Sequence, residues 1–533
     1  GAEINDHNFQ KSLDRYNNVT KEDVIKVYNR YIKNKKAAII DYTSIPFGST
    51  DSVQSINPNA YMPFKKDKQY DNLVYNRGND NFDRSIRPTP PSAKPVNIPT
   101  FYEGKIKNPV SETNKGINYI GTETNEIPKI DILITLEGGD LLVQDEIKKV
   151  GLASLTAMML EEGTKNYSTE EISLQLDEIG STISFNGSDR QSTIYISSLV
   201  ENIDKTLQVL DEKLFNPGFR KDDFKRVKKQ YRESINNSKK SANYLGSTAA
   251  KQKMYGKSIR GVTETVKSID KLKLDDVENF YNKQYNSSLA SIVIVGDMPQ
   301  SEIVPKLDFL NKWEGSDIII NRDLLKEDIN GRQIYIVHKP GPQSMIMIGH
   351  HGPKFDVTGE YFKSRVMNFA FGGAFNSRLN LNLREDKGYT YGINSRFSAN
   401  ESDGAFYIST SVEGEATDSA LTEIFYELEN YVDNGITEEE LKFTKNSIAN
   451  SDALRYETTF QKANFLSRIQ RYNLDKNYTS LQREELLKLN TNDIKEIAKK
   501  NLDKNNLIVV VVGNKYSLKK KLAKFGKVQE IKL

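Results

Sequence analysis

The 533-residue sequence contains no cysteine, a single tryptophan and only four histidines. The missing cysteine excludes disulfides, thiol nucleophiles and thiolate metal sites together. A surplus of either charge is missing too: 75 basic residues are interspersed with 72 acidic ones, for a net charge of +3. No basic stripe forms, so nucleic acid is not an expected partner. Long apolar runs are also absent. The longest, LIVVVV at residues 507–512, is far too short to span a membrane, and no transmembrane segment is expected. What remains is a globular chain with a polar surface, long enough for two or more domains with cores of their own. The first residue is glycine and no secretory leader pattern follows. The expectation is that a leader was removed or that the sequence starts downstream of its true beginning. An Asn- and Lys-rich chain without thiols suits a periplasmic or otherwise extracytoplasmic bacterial setting.

Internal repetition organises the rest. VTKEDVIKVYNRYIKNKKAAII (19–40), LKLDDVENFYNKQYNSSLASIVIVG (272–296) and LNTNDIKEIAKKNLDKNNLIVVVVG (489–513) share one pattern: a polar helix opening, an Asp, a helix, then a β-rich run. Asp23, Asp276 and Asp493 each precede the strand run by 16 residues. An acidic residue in a first turn favours the helix dipole, and the β-branched run reads as a buried strand. A second pair, beginning at Ile194 and Phe406, is an alternating strand followed by an amphipathic helix. Its offset is 212, against 217 for Asp276 and Asp493. The repeat is therefore about 215 residues of mixed α/β structure. The first copy holds only a last helix and strand, so residues 1–46 are expected to be the tail of a preceding α/β domain. Residues 47–103, with RPTPPSAKPVNIP at 87–99, are expected to be a semi-rigid interdomain linker. Two complete domains follow, over 104–325 and 326–533.

The densest stretch is FGGAFNSRLNLNLREDKGYTYG, residues 371–392. The preceding helix is expected to close on Gly372 and Gly373 as a left-handed cap. Asn376 or Ser377 can cap the next helix, and Leu379 and Leu383 share a face at i, i+4. Gly388 ends it. A strand then begins, with Tyr389, Tyr391, Ile393 and Phe397 on one side and AFYISTSVE as its antiparallel partner. Arg384 falls in the last helical turn and Tyr391 on the strand just beyond. Read locally, Arg384 also suits a solvated charge near a helix C-terminus, and the tyrosines suit half-buried strand positions.

With these motifs in place, the chain resembles the pitrilysin-like zinc peptidases, the insulinase or M16 family. The resemblance rests on the repeat, on DKGYTYG after an LRE helix, and on the proline-rich linker, and it runs over essentially the whole chain. It implies an α/β fold of two-layer α+β repeats, with two complete metallohydrolase-like domains forming half of a clamshell. In the family, one half carries zinc on an inverted H-x-x-E-H motif. The other carries an arginine and a tyrosine seven residues apart, the positions of Arg384 and Tyr391. None of His7, His338, His350 or His351 begins an H-x-x-E-H. GLASLTAMMLEEGT (151–164) occupies the place of the zinc helix, with Ser154, Ala157 and Met158 at the lost positions. Ala and Met offer zinc no useful ligand and no general base remains. Glu233 lies near the third ligand's place and reads as a surface glutamate. His350 and His351, adjacent on a strand, point to opposite faces and cannot share a metal.

Two functions follow from the resemblance. In one, this chain is the zinc-free half of an endopeptidase that closes around peptides, and it binds no cofactor itself. An upstream half or partner subunit with H-x-x-E-H supplies Zn2+. Arg384 and Tyr391 contact the substrate carbonyl and its developing oxyanion, with Gly372 and Gly373 along the substrate path. In the other, it is an inert scaffold or binding subunit of a larger, membrane-associated complex. In both, the chain alone cleaves nothing.

Overall fold

The computed structural model describes residues 14–35, 98–107, 116–322, 325–451 and 454–533. The strand expected near 37–40 and nearly all of the linker expected over 47–103 lie outside them. The chain divides into two compact units, residues 1–90 and 91–533. In the first, the Lys21–Tyr31 helix opens on Thr20, and Asp23 accepts the Thr20 N–H at 3.1 Å.

The second unit is mixed α/β and holds two six-stranded sheets. The first contains β1 (Tyr102–Ile106), β2 (Ile117–Glu123), β3 (Lys129–Glu137), β4 (Thr182–Gly187), β5 (Gln191–Leu199) and β6 (Ala290–Gly296), in the order β1-β2-β6-β3-β5-β4. The second contains β7 (Arg332–His338), β8 (Gln343–Gly352), β9 (Ile393–Ala399), β10 (Gly404–Glu413), β11 (Leu507–Gly513) and β12 (Val528–Ile531), in the order β12-β7-β11-β8-β10-β9. Five strands of each sheet match one to one in order and direction. The parallel pairs β2–β6 and β7–β11 correspond, and the other three pairings are antiparallel in both sheets. Only the sixth strand differs: β1 runs antiparallel to β2, whereas β12 runs parallel to β7.

The repeated Asp residues have a common local cause. Asp276 and Asp493 are the third residues of the Leu274–Gln284 and Thr491–Asn501 helices, and accept the N–H of Lys273 at 2.8 Å and of Asn490 at 2.9 Å. Each satisfies a donor that the helix start leaves without a partner. The β-branched runs that follow become β6 and β11, one of the two central strands in each sheet, with the whole of β11 buried.

Each sheet packs its own helices on one face. On the first, Ile132, Ile134, Ile194 and Ile196 meet Leu155 and Leu210; on the second, Ile346, Ile348, Phe406 and Ile408 meet Val366 and Leu421. The opposite faces are covered reciprocally. The Thr459–Tyr472 helix, from the second repeat, sets Phe465, Leu466 and Ile469 against Ile120, Val293 and Val295 of the first sheet. The Ala242–Tyr255 helix, from the first repeat, sets Leu245, Ala249 and Met254 against Met345, Met347 and Val510 of the second. Small residues let it lie close: a side-chain carbon at Gly246 would meet Met345 Sδ at 2.5 Å. Burying one such large apolar side chain stabilises by about 1.5–3 kcal/mol, so the exchange ties the repeats firmly.

A charged clamp sits at the same junction. Asp403, in the β9–β10 turn, is fully buried and accepts from Asn400 Nδ2 at 2.7 Å, from Arg190 Nη2 at 3.2 Å, and from Arg260. Burial pushes its carboxyl up, but Arg260, with help from Tyr255, Asn400 and Arg190, holds it below the usual carboxylate range. Next to it Glu401 pairs with Arg322 at 3.2 Å and Arg190 at 3.8 Å.

Candidate functional site

The helix in the zinc-motif place is Leu152–Leu160. Gly151 precedes it in a left-handed conformation, φ +95°, which glycine adopts without strain. The helix start is capped at long range by Asp140, whose carboxylate accepts the N–H of Gly151 at 2.8 Å and of Ala153 at 3.0 Å. Burial pushes the Asp140 carboxyl up to about 7, against the pull of those two N–H groups.

None of the three positions carries metal chemistry. Ser154 Oγ donates to the Gly187 carbonyl at 3.0 Å. Ala157 is only 2% exposed and sits in the apolar core, and Met158 packs on that core from its edge. These residues do not fit zinc, and no step through a metal is assigned to them. Glu233 stands on the exposed side of the Lys221–Ser238 helix with Lys229 at 4.0 Å. Among the described residues, no group of three or more His, Asp or Glu side chains is placed to hold an ion. His350 and His351 face apart, as strand alternation requires. His350 lies beside Phe406 and takes the Asp503 N–H on Nε2, whereas His351 lies against Tyr255.

The arginine–tyrosine stretch belongs to the helices packed on the second sheet and leads into β9, with two departures from expectation. The Glu360–Asn368 helix widens into a π turn at Phe369–Gly373, and neither Gly372 nor Gly373 has positive φ. They are not a left-handed cap. Glycine is needed at 372 because the turn lies directly on β9: an added carbon would overlap Ser395 and stand 2.7 Å from Leu379 Cδ1. Gly372 is buried and Gly373 exposed. Ser377 then stands at the N-cap position of Arg378–Asn380 without a side-chain capping bond, a second π turn spans Leu381–Asp386, and Gly388 leaves it at φ +65°. Leu379 and Leu383 are both fully buried, as their spacing predicts.

The second departure concerns Tyr391. It lies in a bend two residues before β9, not on the strand, and is 95% exposed. The chain there is held by Thr390, whose hydroxyl donates to the Ser411 carbonyl at 2.8 Å. Tyr391 borders a polar hollow of about 320 Å3 shared with Asn243, Gln343, Ser409 and Ser411. Arg384 does not line it. Its guanidinium stacks 3.8 Å over the Phe375 ring and pairs with Glu385 at 2.7 Å. Arg384 thus closes the π turn beside Phe375 and Glu385, and Tyr391 follows in the bend at the hollow.

Sequence reasoning missed the groups that fasten β4 and β9. Glu161 accepts the Phe185 N–H, and burial raises its carboxyl. Asn380 accepts the Ile393 N–H at 3.1 Å and donates to the Ile393 carbonyl at 2.7 Å, and Asn368 donates to the Ser395 carbonyl at 2.8 Å. Only an Asn on the buried side of a helix could have hinted at them. A hollow of about 800 Å3, between the outer face of the first sheet and Arg322, Glu401 and Arg471, was likewise not foreseen.

Comparison with known proteins agrees with this picture. The profile described as insulinase (peptidase family M16) matches residues 131–263, and that of the peptidase M16 inactive domain matches residues 271–448. The chain is 24% identical over 401 residues to a protein of Helicobacter pylori named non-peptidase homolog YmxG, covering 74% of this chain and 91% of that one. It is 21% identical over 406 residues to an uncharacterized zinc protease of Rickettsia felis, covering 72% and 91%. The crystal structure of a peptidase M16 inactive domain from Pseudomonas fluorescens superposes with a TM-score of 0.67 at 22% identity, over 75% of this chain and 96% of that one. Repeat, sheet topology, degenerate helix and family profiles agree: the chain belongs to the pitrilysin-like M16 (insulinase) family.

Proposed function

We propose that this chain is a catalytically inert M16 subunit, one that binds or scaffolds and does not cleave. The Leu152–Leu160 helix carries the reading. Ser154 is spent on Gly187, Ala157 is buried among apolar side chains, and Met158 packs on the core. No base remains at the three motif positions. The non-peptidase name of the Helicobacter pylori relative supports the same reading. Its setting is a larger assembly outside the bacterial cytoplasm, which cell fractionation tests directly.

One observation favours a second reading, the zinc-free half of a partner-completed peptidase. Tyr391 is almost wholly exposed, a phenol open to an opposing surface. Opposite a partner bearing H-x-x-E-H and its Zn2+, Tyr391 would donate its hydroxyl hydrogen to the scissile carbonyl oxygen of a peptide. Arg384 would turn from Glu385 toward a neighbouring carbonyl, and Gly373, the exposed glycine of the pair, would border the peptide. A donor aimed at a developing oxyanion is worth about 10²–10³ in rate. On this view residues 1–46 are the end of a preceding α/β domain, joined by the linker to domains at 104–325 and 326–533.

Peptide cleavage separates the two. The purified chain with added zinc is expected to cleave nothing. Mixed with a zinc-bearing M16 protein of the same organism, wild type and Tyr391→Phe are expected to behave alike. A 100-fold loss of kcat with Tyr391→Phe, at unchanged KM, would overturn the inert reading and select the second.

A further inference from the structure

Edge strands attract other chains, because their outward N–H and C=O groups have no ladder partner. Strand addition is accordingly a common way for a sheet to take up an extended peptide. β4 and β9 are the corresponding edges of the two sheets. In an antiparallel pair, alternate residues of the edge strand point their backbone groups outward. Phe185 and Gly187 are two apart on β4, and Ile393 and Ser395 are two apart on β9, so each pair belongs to one outward row.

Several groups of those rows are bonded from within the chain. On β4, Glu161 takes the Phe185 N–H and Ser154 takes the Gly187 carbonyl. The Leu152–Leu160 helix lies so close that a side-chain carbon at Gly187 would overlap the Ala153 backbone. On β9, the side-chain amide of Asn380 donates to and accepts from Ile393, as a neighbouring strand would, and Asn368 takes the Ser395 carbonyl. Both asparagines are about 95% buried. The same solution thus appears in both repeats with different side chains, and in the first it uses Ser154, one of the positions where the zinc motif has been lost.

We propose that both edges are self-occupied: side chains of the chain's own helices fill the place of an added strand, so β4 and β9 take up no peptide. A partner then engages this chain through side chains and not through backbone pairing on these edges. The proposal holds whichever reading above is correct.

Residue-resolved hydrogen exchange on the full chain tests it. In wild type, the Phe185 and Ile393 amides are expected to exchange slowly, like interior strand amides, and to be unaffected by an excess of casein, a natively unfolded chain. Glu161→Ala should speed exchange at Phe185 by about 10–100-fold, the worth of a hydrogen bond to a charged group, and leave Ile393 unchanged. Glu161→Gln, which keeps an acceptor, should retain most of the protection. Two wild-type results, which need no variant to fold, would overturn the proposal: fast exchange at Phe185 and Ile393, or exchange there slowed further by casein. A Glu161→Ala protein with normal Ile393 exchange and Phe185 still fully protected would overturn it for β4.

Discussion

His350 offers a prediction whose size follows from the structure. The imidazole is 3% exposed, and burial lowers its pKa from 6.5 to about 4. Its hydrogen bonds fix the neutral form: Nδ1 lies 2.7 Å from the His351 carbonyl and so carries the proton, and Nε2 accepts the Asp503 N–H at 3.3 Å. A proton on Nε2 would set donor against donor. The unfolded chain binds that proton near pH 6.5 and the folded chain only near pH 4. Stability contributed by the neutral ring is therefore complete above pH 6.5 and is lost as pH falls toward 4. Linkage gives a loss of about 2 kcal/mol at pH 5 and about 3 kcal/mol at pH 4.

The wild-type pH profile alone does not isolate this effect. Asp140, with its carboxyl raised to about 7, acts in the opposite direction. Its folded form holds a proton that the unfolded form has lost, so its contribution declines as pH rises from about 4 to 7. The measurement is thus a difference between two proteins. His350→Gln removes the titration and keeps a donor and an acceptor. Opening free energies of β8 and β11 amides, from hydrogen exchange corrected for intrinsic rates, are compared at pH 7.5 and pH 5. Wild type should lose about 2 kcal/mol more than His350→Gln between them. An equal change in both proteins would refute the assignment of a neutral, buried His350.

Other predictions concern the junction of the repeats. Asp403→Ala leaves Arg190 and Arg260 facing each other with side chains only 12% and 13% exposed; a loss of about 3–5 kcal/mol is expected, read as a lowered unfolding midpoint. Leu466→Ala removes a fully buried side chain of the Thr459–Tyr472 helix and should cost about 2–5 kcal/mol. Because that helix covers the first sheet, the effect should appear in the fluorescence of Trp313, which is buried in the first repeat's core. A Trp313 transition unmoved by Leu466→Ala would refute the reciprocal packing. Tyr391→Phe is expected to leave the stability of the isolated chain unchanged, since the residue is almost fully solvated.

Much of the fold was legible because it rests on local chemistry. Asp276 and Asp493 announce helix starts, and the runs after them can only be buried strands; the structure makes them capping residues and β6 and β11. The failures share a cause. Gly372 and Gly373 read from sequence as a helix cap because glycine is the usual signal for one. Here the requirement is contact with Ser395 on β9, which no local pattern encodes. Tyr391 continues an alternation with Ile393 and Phe397, yet the strand begins only at Ile393. Thr390, bonded to Ser411 on a distant segment, holds the bend that excludes it. The edge contacts of Glu161, Asn368 and Asn380 were invisible for the same reason, since each joins segments 13 to 27 residues apart across a turn of the fold.

The reciprocal helices bear on how such a protein came to be built. A duplicated gene is usually imagined as two copies of something that already folded. Here neither copy is self-sufficient, because the outer face of each sheet is roofed by the other's helix. A cut in the segment between β6 and β7 would yield two fragments of nearly identical topology, each with an apolar sheet face open to water. Expressed apart they should be insoluble, and expressed together they should reassemble. The unit that was copied is the sheet with its helices; the unit that folds is the pair.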